Sequence, residues 1–382
     1  MFALENKITP SVWTIAAHDG IWVNQHLMKD CGLVPYMFHK VYGFRPAMLG
    51  RSIGEYRYLE QMPEMRMEFL SVKAEEYHDE SIRFLQHHYN EMDLIVLHGP
   101  YQHYSLFLSE YKKLRPDGKV YMALDMNSFW ADRIICTDPW FIKLLDECDV
   151  IATSCRKIQD LLNRKWSRWT IRHIPNGFYN ITGQPLSVSP ELKENILLTV
   201  GRIGTEQKAT HLLMEAFAIA HTELKDWRLH LVGSISEDFH PYIHQYFQRF
   251  PELREKVSFM GMIEDKAELY AEYAKSKVFV LTSFYEGGAP NVVAEALFHG
   301  CYTVTSDIDA AEEITNSGRC GRVFPLGDAR ALANILMKIC PNAALFSDTF
   351  PKTLEYAHLR FDWEKNIRYL HRLLFEEYSQ PI

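Results

Sequence analysis

The sequence predicts an α/β protein built from two Rossmann-like, doubly wound domains that face a central cleft. Three observations predict it. Short apolar runs of strand length alternate with amphipathic stretches along most of the chain. That rhythm breaks in segment 172–195, which carries Pro, Gly, Asn and Ser, and then restarts. The chain has 382 residues, and domains commonly run about 100–200 residues, so two domains are expected.

In the first half the expected strands are SVWTIAA (11–17), DLIVLH (93–98), KVYMAL (119–124) and DVIATS (149–154), with a helix over 81–92. DLIVLH is apolar almost throughout, which suits a sheet covered on both faces. After segment 172–195 the expected strands are 195–201, 227–233, 256–263, 277–283 and 301–307. Helices are expected over 210–224, 266–276 and 290–300. The domains follow: 1–180, 190–355, and a helical tail 356–382 with the aromatic pair Phe361 and Trp363.

Composition narrows the classes. A formal net charge of -8 argues against general nucleic-acid binding, which needs cations to displace phosphate counterions. It leaves room for an anionic small molecule held by a few local cations. Cys31, Cys136, Cys148, Cys155, Cys301, Cys320 and Cys340 are scattered without a CxxC pair, as in a reducing compartment. The opening residues lack the basic and long apolar stretches of a signal peptide, and the longest apolar runs are of strand length. A cytoplasmic location is expected, with peripheral membrane association left open.

Two loops carry candidate chemistry. Gly201-Arg202 ends the strand 195–201, and Lys208 follows six residues after the arginine. Ligands of parallel sheets sit beyond the carboxyl ends of strands. Two cations there would stabilise a leaving diphosphate as its charge grows. The plainer reading is a solvated loop with two charges. In the second, Glu286 precedes Gly287-Gly288-Ala289-Pro290, and a helix opens near Asn291 and Val292. Free amides at a helix start, with the dipole behind them, hold a phosphate without a metal. Glu295, one turn in, can accept from two ribose hydroxyls, and Glu286 from a sugar ring. The plainer reading makes one glutamate a helix-end complement. In the first half, His18-Asp19-Gly20 follows the first strand and His98 ends DLIVLH. Asp125 is a weaker candidate, and Phe129 and Trp130 could stack on a sugar or fill the core.

Taken together, these pieces resemble the family 4 glycosyltransferases of the GT-B fold. The resemblance rests on IPNG at 174–177, GR with its lysine, LVG at 231–233 and F-x-G at 259–261. It continues with the S-x-x-EGG…PN-x-x-x-EAL-x-x-G block at 283–300, Ser306-Asp307 before Glu312-Glu313-Ile314, and the Phe361-Asp362-Trp363 start of a terminal helix. The match covers 150–380 clearly and the first 150 residues weakly. It implies that the tail 356–382 crosses back to the first domain.

The resemblance implies that Arg202 and Lys208 bind a donor diphosphate beside Gly201. Glu295 would hold the ribose, Glu286 would orient the transferred sugar, and Met262 and Ile263 would lie beside the base. The backbone from Gly288 through Ala289, Pro290 and Asn291 to Val292 would meet phosphate and sugar. Gly20 would face the donor phosphates, and His98 stands where the family has a histidine near the reacting sugar. The implied reaction is retaining, metal-independent hexosyl transfer from a UDP-, GDP- or dTDP-linked donor. No cofactor is implied, and the acceptor is a glycan, a lipid-linked molecule or a small molecule.

Two positions depart from the family pattern. Eight residues separate Glu286 from Glu295 where the family has seven, so Glu286 or Gly287 holds the sugar-contacting place. Ala209 stands where a glycine normally follows the lysine. The alternatives are a nucleotide-sugar epimerase or phosphorylase of the same architecture, or a non-catalytic nucleotide-sugar-binding protein. A dehydrogenase is not expected, because neither half opens with G-x-G-x-x-G.

Overall fold

The computed structural model describes residues 9–376. The leader reading of residues 1–8, and the last six residues of the expected tail helix, lie outside the described residues. The chain divides into two units. One runs to Pro175 and takes back the chain from Trp363; the other is Asn176–Asp362.

The strands of the first unit are β1 (Ser11–Ile15), β2 (Ile21–Trp22), β3 (Arg45–Ser52), β4 (Arg66–Phe69), β5 (Leu94–His98), β6 (Lys119–Leu124), β7 (Val150–Thr153) and β8 (Ile171–His173). They pair in the order β2-β3-β1-β5-β6-β7-β8, with β4 beside β3, and β1 runs parallel to both β3 and β5. Leu94, Ile95, Val96 and Leu97 of β5 are buried, as continuous apolar strands in a covered sheet must be.

Sequence reading missed β3 and β4. RPAMLGRS mixes arginine, proline and glycine into a short apolar centre, so neither strand period stands out. Gly50 is needed there because the Trp22 ring comes within 2.5 Å of where its Cβ would stand.

The expected tail helix is corrected by the structure. Residues 356–360 finish the helix Ala343–Arg360 of the second unit, and a separate helix starts at Trp363. The break falls where the Phe178 amide donates to the Phe361 carbonyl at 2.6 Å, with Phe361 and Trp363 both buried. The helix Trp363–Phe375 then packs on the helix Asp30–Tyr42. His371 stacks on Tyr42 at 3.9 Å, and Phe375 lies against Phe44. Segment 172–195 is likewise not a single linker: it opens with β8, and the second unit starts within it at Asn176.

The second unit carries β9 (Glu194–Val200), β10 (Arg228–Val232), β11 (Val257–Gly261), β12 (Ser276–Leu281), β13 (Tyr302–Ser306) and β14 (Gly321–Phe324). All are parallel, in the order β11-β10-β9-β12-β13-β14. This is the 3-2-1-4-5-6 order of a doubly wound sheet. Leu213 and Phe217 from the helix Thr210–Ala220 pack with Leu197, Leu229, Val278 and Val280 in its core.

The end of β10 crosses closely over the end of β9. A Cβ on Gly233, whose φ is +140°, would stand 1.7 Å from the Gly201 carbonyl oxygen. By contrast, Gly43 ends the helix Asp30–Tyr42 at φ +73° with open space around it. Gly233→Ala is therefore expected to destabilise the protein by about 2–3 kcal/mol, the range of overpacking. Gly43→Ala should cost only about 1 kcal/mol of left-handed strain. Denaturant titration of the two variants checks this order.

Candidate active site

In the second unit the strand order reverses between β9 and β12, and the loops leaving these strands emerge side by side. Their backbones are sewn together. Thr282 Oγ1 donates to the Lys208 carbonyl at 2.8 Å, and the Phe284 amide donates to the Gln207 carbonyl at 2.9 Å. The Lys208 stem folds back over Gly201, its Cε 3.7 Å from where a Cβ would stand. A bulky residue at 201 would crowd that stem.

Lys208 Nζ reaches Glu286 Oε1 at 2.5 Å, and Ser283 Oγ donates to the same oxygen. Gln207 Nε2 donates to the Tyr285 carbonyl at 3.0 Å and approaches Glu286 Oε2 at 3.4 Å. Arg202 Nη2 in turn donates to Gln207 Oε1 at 2.6 Å. The structure thus brings Arg202, Lys208 and Glu286 into one hydrogen-bonded group, with Gln207 and Ser283 as members that sequence reading missed. Two cations and one carboxylate leave a local excess of positive charge.

Ala209, next in the chain, has φ +46° and is fully buried. A Cβ-bearing residue is held here in a conformation glycine adopts without strain.

The helix Asn291–Phe298 starts at Pro290, and no side chain caps its first amides. Gly288 before it has φ +142°. Ala289 is buried, and its carbonyl accepts from Asn176 Nδ2 at 3.3 Å, so the Asn of IPNG steadies this loop. Asn291 Oδ1 is buried without a hydrogen-bond partner. Glu286 supplies the carboxylate that meets Lys208.

One turn into the helix, Glu295 accepts from Lys266 Nζ at 3.0 Å and from the Tyr273 hydroxyl at 2.9 Å. Lys266 and Tyr273 lie seven residues apart on the helix Lys266–Lys275, a spacing that puts both on one face. Burial, and then the Glu295 charge, push the Tyr273 phenol well above its ordinary range, so it stays a donor. His299 Nδ1 pairs with the Glu295 carbonyl at 2.7 Å, and its Nε2 is buried without a partner. Burial lowers the His299 imidazole from 6.5 to about 4. Met262 and Ile263 follow the end of β11, with Met262 half exposed.

The carboxyl ends of β1 and β5 form the corresponding reversal in the first unit. His98 Nδ1 sits 3.2 Å from Asp30 Oδ2, while its Nε2 is buried without a partner. Burial opposes ionisation of Asp30, but facing His98 and Lys29 outweigh it and hold the carboxyl below its ordinary range. Nothing in the sequence marked Asp30, which is 68 residues away from His98. His18 has φ +51°, and its ring lies 4.1 Å from that of Tyr101. Gly20 is packed under Tyr77, whose ring comes within 2.4 Å of where a Cβ would stand, so its smallness answers to that contact. Asp125 is exposed. Phe129 and Trp130 are each more than half exposed, which removes the core reading for both.

Among the described residues, no group of three or more His, Cys, Asp or Glu side chains is placed to hold a metal ion. Among the same residues, no helix is long and apolar enough to cross a membrane.

Residues 194–342 match the family model described as Glycosyl transferases group 1. A phosphatidyl-myo-inositol mannosyltransferase of Mycobacterium leprae is 26% identical over 234 residues, 59% of this chain and 57% of the relative. A Campylobacter jejuni α-1,4-N-acetyl-D-galactosaminyltransferase, whose name gives an undecaprenol-linked glycan, is 29% identical over 188 residues, 46% of this chain and 48% of the relative. The chain thus spans about half the length of the curated relatives it matches. Anabaena Alr3699/HepE in complex with UDP superposes with a TM-score of 0.71 at 17% identity, over 96% of this chain and 99% of that one. WaaG, a glycosyltransferase involved in lipopolysaccharide biosynthesis, gives 0.66 at 12% identity, over 96% and 100%. The match to the group 1 glycosyl transferases thus lies in the second unit, and the two parallel α/β units have the GT-B fold of these solved glycosyltransferases.

His299 makes stability acid-sensitive. Its folded-state value lies below the unfolded 6.5, so the unfolded chain takes up the proton first as pH falls. The stabilisation is present above pH 6.5 and is lost toward pH 4. His299→Asn, which keeps a donor for the Glu295 carbonyl, should reduce the loss of unfolding free energy between pH 7 and pH 5 by roughly 2 kcal/mol. Denaturant titrations at the two pH values measure it.

Proposed function

We propose that this protein transfers a hexose-type sugar from a nucleoside diphosphate donor to a hydroxyl acceptor, with retention at the anomeric carbon and without a metal ion. One observation carries the reading. Lys208 and Arg202 share a hydrogen-bonded group with Glu286 where the strand order reverses, and Glu286 lies in the loop that leads into the uncapped start of the helix Asn291–Phe298. Fixed cations and uncapped helix-start amides at such a crevice suit a pyrophosphate whose charge grows as the sugar bond breaks. Sugar transfer in the names of the mycobacterial and Campylobacter relatives, and the UDP and UDP-glucose in the HepE structures, support the same chemistry.

Each residue has a task in this reading. Lys208 and Arg202 neutralise the leaving diphosphate, and the Glu286 carboxylate orients both Lys208 and the hydroxyls of the transferred sugar. Gly288 to Val292 supply backbone to the phosphates, Glu295 holds the ribose, and Met262 and Ile263 flank the base. Gly201 and Gly20 keep their loops narrow. His98, oriented by Asp30, is the first unit's donor to a sugar hydroxyl. Glu286 and Glu295 lie on one loop and helix and are each engaged by a lysine, which does not suit the opposed carboxylates of glycoside hydrolysis. Front-face attack, with the leaving phosphate taking the acceptor's proton, needs no carboxylate nucleophile. The relatives' names point to lipid-linked acceptors, which the protein would meet from the cytoplasm at a membrane surface.

The test is incubation with UDP-, GDP- and dTDP-hexoses and polyprenyl- or inositol-lipid acceptors, with product configuration read by NMR. An α-linked product from an α-linked donor, formed in EDTA, is expected. Arg202→Ala and Lys208→Ala should each lower kcat about 10²–10³-fold, the magnitude of removing one charge-stabilising donor. Full turnover by the double variant would refute the diphosphate role, and conversion of the donor sugar without acceptor would identify an epimerase.

A further inference from the structure

Three large apolar side chains of the first unit face solvent within one short stretch. Phe129 is 53%, Trp130 56% and Ile135 62% exposed. Grouped exposure of this kind marks an interaction surface, whereas single exposed apolar residues need no explanation. Phe129 and Trp130 stand on the helix Ser128–Arg133, which follows the carboxyl end of β6, and Ile135 comes just after it. The Asn127 side chain caps this helix by accepting from the Trp130 amide at 3.1 Å, and the two rings meet edge to face. The turn that presents them is therefore fixed. Cations lie beside the rings. The Arg133 guanidinium sits over the Phe129 ring at 3.3 Å. Lys165 Nζ donates to the Ala131 carbonyl at 2.7 Å, which ties the end of the helix Arg156–Lys165 to the same turn. That helix exposes Arg156, Lys157, Asp160, Asn163 and Arg164, positions that share one face. The two helices carry five cations, Arg133, Arg156, Lys157, Arg164 and Lys165, against two carboxylates, Asp132 and Asp160. The whole chain has a formal net charge of -8, so this excess is local.

We propose that this face docks on an anionic lipid membrane. Phe129, Trp130 and Ile135 enter the interface, and the helix Arg156–Lys165 lies over the headgroups. The inference names the surface by which the protein reaches a membrane, and it rests on the transfer reading above only for the acceptor being lipid-linked.

Charge complementarity selects the occupant. Tryptophan settles at headgroup level, where its ring is in apolar surroundings and its N–H stays wet. Arginine and lysine lay their stems along apolar surface and send their charges to the phosphates. Apolar area and cations on one face are what an interfacial segment needs, and anionic lipid strengthens the attraction. A second copy of the chain meeting this face with its own would set cation against cation. A neutral glycan would stack on the rings and leave the cations unanswered. Position agrees with the proposal. β6 pairs with β5, with His98 opposite Ala123, so the membrane would lie toward the carboxyl side of the sheet that carries His98.

The test is co-sedimentation of the full chain with vesicles of phosphatidylcholine alone and of phosphatidylcholine mixed with phosphatidylglycerol. The wild-type protein should bind the anionic vesicles at least about tenfold tighter, and added salt should weaken that binding. Phe129→Ser with Trp130→Ser should lower it about tenfold or more, the loss of two buried aromatic rings. Lys157→Gln with Arg164→Gln should lower it about 25-fold, roughly fivefold for each cation. Leu359→Ser removes a side chain of the second unit that is 66% exposed and should change nothing. Trp130→Phe, which keeps an aromatic anchor, should bind like the wild type but show less quenching of its fluorescence by brominated-chain lipid. Equal binding to both kinds of vesicle, or full binding by the two double variants, would overturn the inference. The donor reading would still stand, because no nucleotide enters the assay. A Phe129→Ser, Trp130→Ser protein that keeps vesicle binding but loses self-association, or loses turnover of a soluble acceptor, would overturn it in favour of a second copy or of sugar stacking. Vesicle binding as described, by a protein that turns over no nucleotide sugar, would support the docking face and remove the donor reading.

Discussion

The bond between Lys208 and Glu286 joins the loops after β9 and β12, and the site depends on it. Charged side chains at 19% and 10% exposure are costly to hold in a crevice unless they are paired and further hydrogen-bonded. Ser283 and Gln207 supply the further bonds, and through Gln207 the group reaches Arg202. One carboxylate therefore sets the direction of a lysine and, indirectly, of an arginine.

That pairing is possible because of the sheet topology. Each unit is a parallel sheet whose strand order reverses once next to its first strand, between β1 and β5 and between β9 and β12. Connections on either side of a reversal run to opposite faces and leave a crevice at the carboxyl ends. The first unit fills its crevice with imidazoles and phenols, among them His18, Tyr101 and the His98–Asp30 pair. The second fills its own with paired ions and open amides.

Much of this was legible in the sequence, and the illegible part has physical causes. Strands such as Leu94–His98 declare themselves because a doubly covered strand must be apolar. The Gly201-Arg202…Lys208 and Glu286…Asn291 stretches stand out because backbone turns and phosphate cradles restrict residue choice. Arg45–Ser52 did not stand out, since its arginines, proline and glycine interrupt the apolar run although the strand is paired on both sides. Pairings across the fold were invisible as well. Nothing local ties Asp30 to His98, or Lys266 to Glu295, although the seven-residue step from Lys266 to Tyr273 was there to be read. The expected tail helix failed at its start because the helix continues through residue 360, and the break comes where Phe178 pairs with Phe361 and Asp362.

The central claim is that a single pyrophosphate site is formed by the loops after β9 and β12. A crystal structure of the protein soaked with UDP tests it most directly. The account predicts phosphate oxygens within about 3 Å of Lys208 Nζ and of the first amides of the helix Asn291–Phe298, the hydrogen-bond range for charged partners. A diphosphate bound elsewhere, with Lys208 still committed only to Glu286, would contradict it.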